Sequence, residues 1–159
     1  MMTPLNIRVF VDVVALLLGN AADGNVFLFD DSLCGGQDSG TVKLTSPVWP
    51  GQLVRWSLTP LDVQTMAWLT GVSFDGNAPP AAGLPAPWAL RWHGHVPWWL
   101  APGSRHGYRL TLVTGGLTGR TITIDGPSLL FMPPPAGQPI PPQASPPIWA
   151  VAQSAPTGG

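Results

Sequence analysis

The chain has 159 residues, about the length of one domain. It holds 19 Gly and 20 Pro, and only 9% of its side chains are charged while 45% are hydrophobic. A disordered chain is poor in apolar residues and rich in charge, so this composition excludes disorder of the whole chain. The net charge is −1, which gives nucleic acid nothing to attract it, and the single Cys34 excludes an internal disulfide.

So few charges leave little repulsion between copies of the chain, and we therefore expect a homo-oligomer. No run of 18 apolar residues occurs, so we expect no membrane span. Arg8 and the apolar residues 9–18 loosely imitate a signal peptide, but Asp12 interrupts the apolar run. We expect the protein to be cytoplasmic, with secretion as the alternative if residues 1–21 act as a signal peptide.

Two regions follow one another along the chain. A body of residues 3–132 shows apolar side chains that recur every second residue, the period of a half-buried strand. A tail of residues 133–159 is rich in Pro and carries no ionisable side chain, since Asp125 is the last one. Proline favours an extended conformation, so we expect an extended tail.

Strands are predicted in the body wherever alternation runs between Gly, Pro or Asn turns. They lie at about residues 7–13, 26–29, 41–45, 54–58, 68–74, 88–92, 107–113, 120–125 and 128–132. Residues 62–69 fit a helix or an extended segment, and we interpret them as extended. Many short strands without convincing helices predict an all-β fold, a single antiparallel β-sandwich of the immunoglobulin-like, cupredoxin-like or jelly-roll-like kind.

Candidate chemistry is sparse. His93 and His95 would share one face of a strand and could hold a metal, but a third ligand is needed, and His106 is the only other histidine. We favour their interpretation as surface or partly buried histidines. The sequence has neither a Gly-x-Ser-x-Gly elbow nor a phosphate-binding glycine loop, and it has no Glu. We expect no enzymatic activity and no cofactor.

Tryptophan is the remaining resource of the body. Four tryptophans cluster within twelve residues: Trp88, Trp92, Trp98 and Trp99. They would fill the core, anchor a contact between copies, or form a platform for a glycan or another small ligand, because Trp is enriched at binding sites. The third interpretation gives the alternative function, a carbohydrate-binding or small-ligand-binding β-sandwich module.

The tail ends in a short apolar segment after its prolines. Ile148, Trp149 and Val151 lie within it, and they could dock on the body of the same or a neighbouring chain as an assembly anchor. A disordered tail is the alternative interpretation.

Two motifs resemble a known family. The stretches 36–44 (GQDSGTVKL) and 48–56 (VWPGQLVRW), preceded by a Val-rich strand with an Asp, are similar to the central segment of the AidA/PixA family of bacterial inclusion-body proteins. The resemblance covers about residues 7–60. It implies a small β-sandwich without catalytic residues that accumulates in inclusions. We therefore expect a non-enzymatic, self-associating bacterial protein.

Overall fold

The computed structural model describes residues 2–62, 64–74, 91–96, 101–115, 119–133 and 136–137. These residues form nine strands and one short helix. In chain order they are β1 (Leu5–Val11), α1 (Val13–Leu17), β2 (Val26–Asp30), β3 (Thr45–Val48), β4 (Leu53–Pro60), β5 (Ala67–Phe74), β6 (Arg91–His95), β7 (Arg105–Thr114), β8 (Thr121–Ile124) and β9 (Ser128–Phe131). The all-β prediction is confirmed. The boundary at residue 132 stays a prediction.

The strands form two mixed sheets. The first has the order β2-β1-β4-β6, and the second has the order β3-β9-β7-β5 with β8 also paired to β7. The long strand β7 pairs with β9 through its first residues and with β8 through its last ones, so it organises the second sheet. A bulge between Leu69 and Gly71 shifts the register of β5 against β7.

The core lies between the two sheets and follows the predicted alternation. Ile7, Val9 and Val11 are fully buried on one face of β1, and Val54 and Trp56 are buried on the matching face of β4. The ring of Trp56 contacts two rings of the second sheet, which shows that the sheets pack face to face. This arrangement is a β-sandwich.

The prediction of an entirely antiparallel sandwich is wrong for two strand pairs. β1 runs parallel to β4, and β3 runs parallel to β9. Alternation tells which face of a strand is buried but not which strand lies beside it, so the sequence could not distinguish these pairings.

One short helix, α1, was not predicted. The first strand ends at Val11, and α1 begins at Val13 after Asp12, whose carboxylate accepts a hydrogen bond of 2.9 Å from the backbone N–H of Ala15. This is an N-cap, which satisfies a helix donor that would otherwise have no partner. Val13 is still buried, so its apolar character suited both interpretations.

Candidate functional site

The first sheet has two unlike ends. β1 and β4 run in the same direction and β2 runs against them, so the starts of β1 and β4 lie beside the end of β2. We call this the hollow end. At the opposite end β1 leads into α1, and we call that the helix end.

The helix end presents apolar side chains to solvent. Val14, Leu18, Leu61 and Met66 are between 41% and 76% exposed, and we call these four residues the end patch. Large exposed apolar side chains that gather in one region mark interaction surfaces more often than scattered ones do.

Hydrogen bonds of the backbone hold the end patch in place. Leu61 donates its N–H to Val11 at 2.9 Å, and the carbonyl of Met66 accepts from Gly115 at 2.8 Å. The Arg120 guanidinium donates to the carbonyl of Leu17 at 3.1 Å and so joins α1 to the second sheet. The patch therefore rests on both sheets.

A concave, mostly apolar cavity lies at the hollow end, and we call it the hollow. Its volume is about 160 Å³. Its lining residues are Met2, Thr3, Pro4, Leu5, Asp31, Ser32, Leu33, Trp49 and Gln52. Leu33 is 94% exposed at its rim. A cavity of about 150 Å³ accepts a benzene ring, so the hollow has the size for one aromatic side chain.

Polar side chains fix the walls of the hollow. Buried Gln52 accepts a hydrogen bond from the Trp49 N–H at 3.1 Å and donates to the carbonyl of Thr3 at 2.9 Å. Asp31 accepts from the backbone and the side chain of Asn6 at 2.7 and 2.6 Å. Three chain segments that are distant in sequence are thereby held together.

The chain leaves the second sheet beside the hollow. Met132 follows β9, and its N–H donates to the carbonyl of Val48 at 2.7 Å. Val48 directly precedes Trp49 in the wall of the hollow. The proline-rich tail thus starts within a residue's length of this surface.

Three polar side-chain atoms are buried in the core near the first sheet. Trp56 Nε1, the Tyr108 hydroxyl and Asp30 Oδ2 are each buried without a hydrogen-bond partner. Ile7 pairs with Asp30 on one side and with Trp56 on the other, so the two residues flank it on one row of the sheet. The Trp56 and Tyr108 rings lie 5.6 Å apart, edge to face.

Burial raises the pKa of Tyr108 above its usual value, and the Asp30 carboxylate raises it further. The indole N–H of Trp56 opposes the rise through a contact outside hydrogen-bond geometry. Its burial and the neighbouring Asp30 carboxylate thus favour the protonated form of Tyr108. Gly36 lies against the Asp30 carboxylate, because a Cβ at position 36 would collide with it.

Tyr108 is the only tyrosine of the chain, so its ionisation can be followed alone. Its pKa is higher in the folded than in the unfolded state, so the neutral hydroxyl stabilises the fold fully below about pH 10, and this contribution is lost as the pH rises further. We expect tyrosinate absorbance to appear only together with the loss of the circular dichroism of the fold. Tyr108→Phe is the control. Ionisation near pH 10 in a protein that stays folded would contradict this expectation.

His93 and His95 lie on one face of β6, as the spacing predicted. His93 is exposed opposite Arg55, and His95 is half-buried opposite Leu53. Burial lowers the pKa of His95, and His93 lowers it further. The Arg55 guanidinium, on the neighbouring strand opposite His93, opposes the binding of a metal cation here. Within the described ranges, no group of three or more His, Cys or Asp side chains could hold a metal ion.

The third histidine, His106, belongs to the other sheet. It lies in β7 of the second sheet, with its ring 4.9 Å from the ring of Phe131, whereas β6 pairs with β4 in the first sheet. The turn at Pro102 and Gly103 leads into β7 and lies beside the end of β9, because Gly103 donates its N–H to the carbonyl of Phe131.

Most of the predicted tryptophan cluster lies outside the described residues. Trp88, Trp98 and Trp99 fall there, and so do Ile148, Trp149 and Val151 of the tail. Trp92 belongs to β6 and pairs with Trp56. The ligand platform and the tail anchor therefore stay predictions.

Neither the end patch nor the hollow was predicted from the sequence. The end patch was missed because no helix was predicted after the first strand, although Asp12 before a run of Val, Ala and Leu is a signal for a helix start. The hollow combines residues from three loops, and nothing local in the sequence links them.

The described residues thus define a β-sandwich domain with an exposed apolar patch at one end of its first sheet and the hollow at the other. The chain belongs to the family described as a domain of unknown function, DUF8788, whose model matches residues 3–119. No curated protein matches it. Among the described residues, no helix is long and apolar enough to cross a membrane.

A solved structure also resembles the chain. It is the crystal structure of an inclusion body protein, PixA, from Burkholderia cenocepacia J2315, with 14% identity and a TM-score of 0.48. The match covers 84% of this chain and 95% of the other. The structure is of the same type of protein that the two sequence motifs resemble.

Proposed function

We propose that this protein is non-enzymatic and that its copies associate in the cytoplasm through the end patch. The exposed apolar side chains of the patch carry this proposal, because such a surface loses contact with water when it is covered. The low charge of the chain supports it, since neighbouring copies repel one another little.

The position of β1 supports a cytoplasmic protein over a secreted one. β1 pairs with β2 on one side and with β4 on the other, and its apolar face is fully buried. Cleavage after residue 21 would remove this strand and α1 from the sandwich. We therefore place residues 5–17 in the mature domain.

Light scattering coupled to size exclusion over a concentration series tests the association. We expect the mean mass of the full chain to rise with concentration, and the variant Leu18→Asp/Leu61→Asp to stay near the mass of one chain, 16.8 kDa. Both side chains are more than half exposed, so the substitutions should leave the fold intact.

A matched control separates the patch from the charge that the variant adds. Gln37→Glu/Thr123→Asp also adds two negative charges, at exposed positions outside the end patch. We expect this control to associate like the wild type. A control that is dispersed as fully as the patch variant would show that low charge alone drives association. A wild type of constant single-chain mass would overturn the proposal altogether.

A further inference from the structure

The hollow lies open at the place where the tail begins, and the tail contains an apolar segment with one aromatic side chain. The wall of the hollow is apolar at Met2, Leu33 and Trp49, with Leu33 almost wholly exposed. Residues 148–152 (IWAVA) supply an aromatic ring between small and branched apolar side chains. One indole would cover the exposed apolar surface of the hollow.

The distance along the chain decides which copy supplies the segment. Ten residues separate Gly137 from Ile148, and five of them are prolines. Proline-rich segments favour an extended form of about 3.1 Å per residue, so eleven steps span about 34 Å. The tail begins beside Trp49 of its own hollow, so an arm extended to this length would place its tip beyond that hollow and within reach of another copy.

We infer that the hollow is the binding site for residues 148–152 of a second copy, with Trp149 inserted beside Trp49 and Leu33. This inference rests on the proposed self-association and names a second contact for it. The arm and the hollow are different surfaces, so each copy gives an arm to one neighbour and accepts one from another. Contacts of this head-to-tail kind propagate into open chains unless the rotation between copies closes a ring.

The native Cys34 allows a direct test, because it is exposed and follows Leu33 at the rim of the hollow. In the full chain, Ala150→Cys places a second thiol next to Trp149. Oxidised glutathione should then join Cys34 of one chain to position 150 of another. We expect dimers and longer ladders on non-reducing gels at a rate about tenfold or more above that of Thr157→Cys, because docking raises the effective concentration of the thiol.

Two further variants complete the design. Leu33→Asp, made at an almost fully exposed position, should reduce the rate of Ala150→Cys to that of Thr157→Cys. Cys34→Ser combined with Ala150→Cys should abolish the ladders and leave simple dimers. The first result follows only if the segment reaches the hollow, and the second shows that the ladders require the Cys34 thiol.

The outcomes separate this inference from the proposed function. Equal rates for Ala150→Cys and Thr157→Cys would overturn the hollow as the binding site, even where light scattering shows association. A cross-link within one chain, seen as a faster-migrating monomer, would overturn the assignment to a second copy. Constant single-chain mass together with no preferred cross-link would overturn both proposals.

Discussion

Trp56→Ala should destabilise the fold by about 3–5 kcal/mol, the cost of emptying a large aromatic site in a core. Trp56 is 1% exposed, and its ring lies 5.6 Å from Tyr108 and 6.3 Å from Phe74, both on the opposite sheet. Removal of the indole leaves a void that neither sheet can fill without moving towards the other. A loss of this size is a large share of the roughly 5–15 kcal/mol that stabilises a domain.

Urea unfolding followed by circular dichroism measures this loss as a lower midpoint at an unchanged slope. Trp56→Phe should cost less than alanine, because it keeps a ring and removes the indole N–H that is buried without a partner. Leu33→Ala, at the exposed rim of the hollow, should change stability by less than about 0.5 kcal/mol. An alanine variant at position 56 as stable as Leu33→Ala would contradict the packing of the two sheets.

Gly126→Ala should cost about 2–4 kcal/mol, through backbone strain and a steric clash acting together. Gly126 joins β8 to β9 with φ at 125°, beyond the left-handed region that other residues occasionally occupy. A Cβ there would lie 2.8 Å from the carbonyl oxygen of Val42, which is backbone and cannot rotate away.

Gly103→Ala separates the strain from the clash. Gly103 also has a positive φ, 82°, but a Cβ there would meet nothing within 4 Å. We expect this variant to lose about 1 kcal/mol in the same urea experiment. Equal losses of stability in Gly126→Ala and Gly103→Ala would show that the close approach of Gly126 to Val42 adds no cost beyond backbone strain.

Local patterns in the sequence predicted the faces of the strands well. Val54, Trp56 and Leu58 are buried as their spacing of two indicated, and Arg55 between them is exposed. The turn before this strand was also visible, because Pro50 precedes Gly51, whose φ of 76° suits glycine. Such features depend on neighbours in sequence, so the sequence alone carries them.

The partners of the strands and the site could not be predicted in the same way. The pairing of β1 with β4, and the hollow formed by Leu5, Leu33 and Trp49, depend on contacts between segments far apart in the chain. Alternation is identical for parallel and antiparallel neighbours, so it leaves these contacts open. The sequence predicted that His93 and His95 share one face of a strand. It could not predict that Arg55 and Leu53 lie opposite them, because that depends on the register between β4 and β6.

The parallel pair of β3 and β9 has a consequence for synthesis. Thr45 lies opposite Ser128, so β3 has no β9 to pair with until the ribosome has added 83 more residues. At about 5–20 residues per second this interval lasts about 4–17 s. During that time the nascent chain carries a short strand whose four residues are all buried in the finished fold. Contacts of such long range also slow folding, so the incomplete chain is the form most exposed to mispairing.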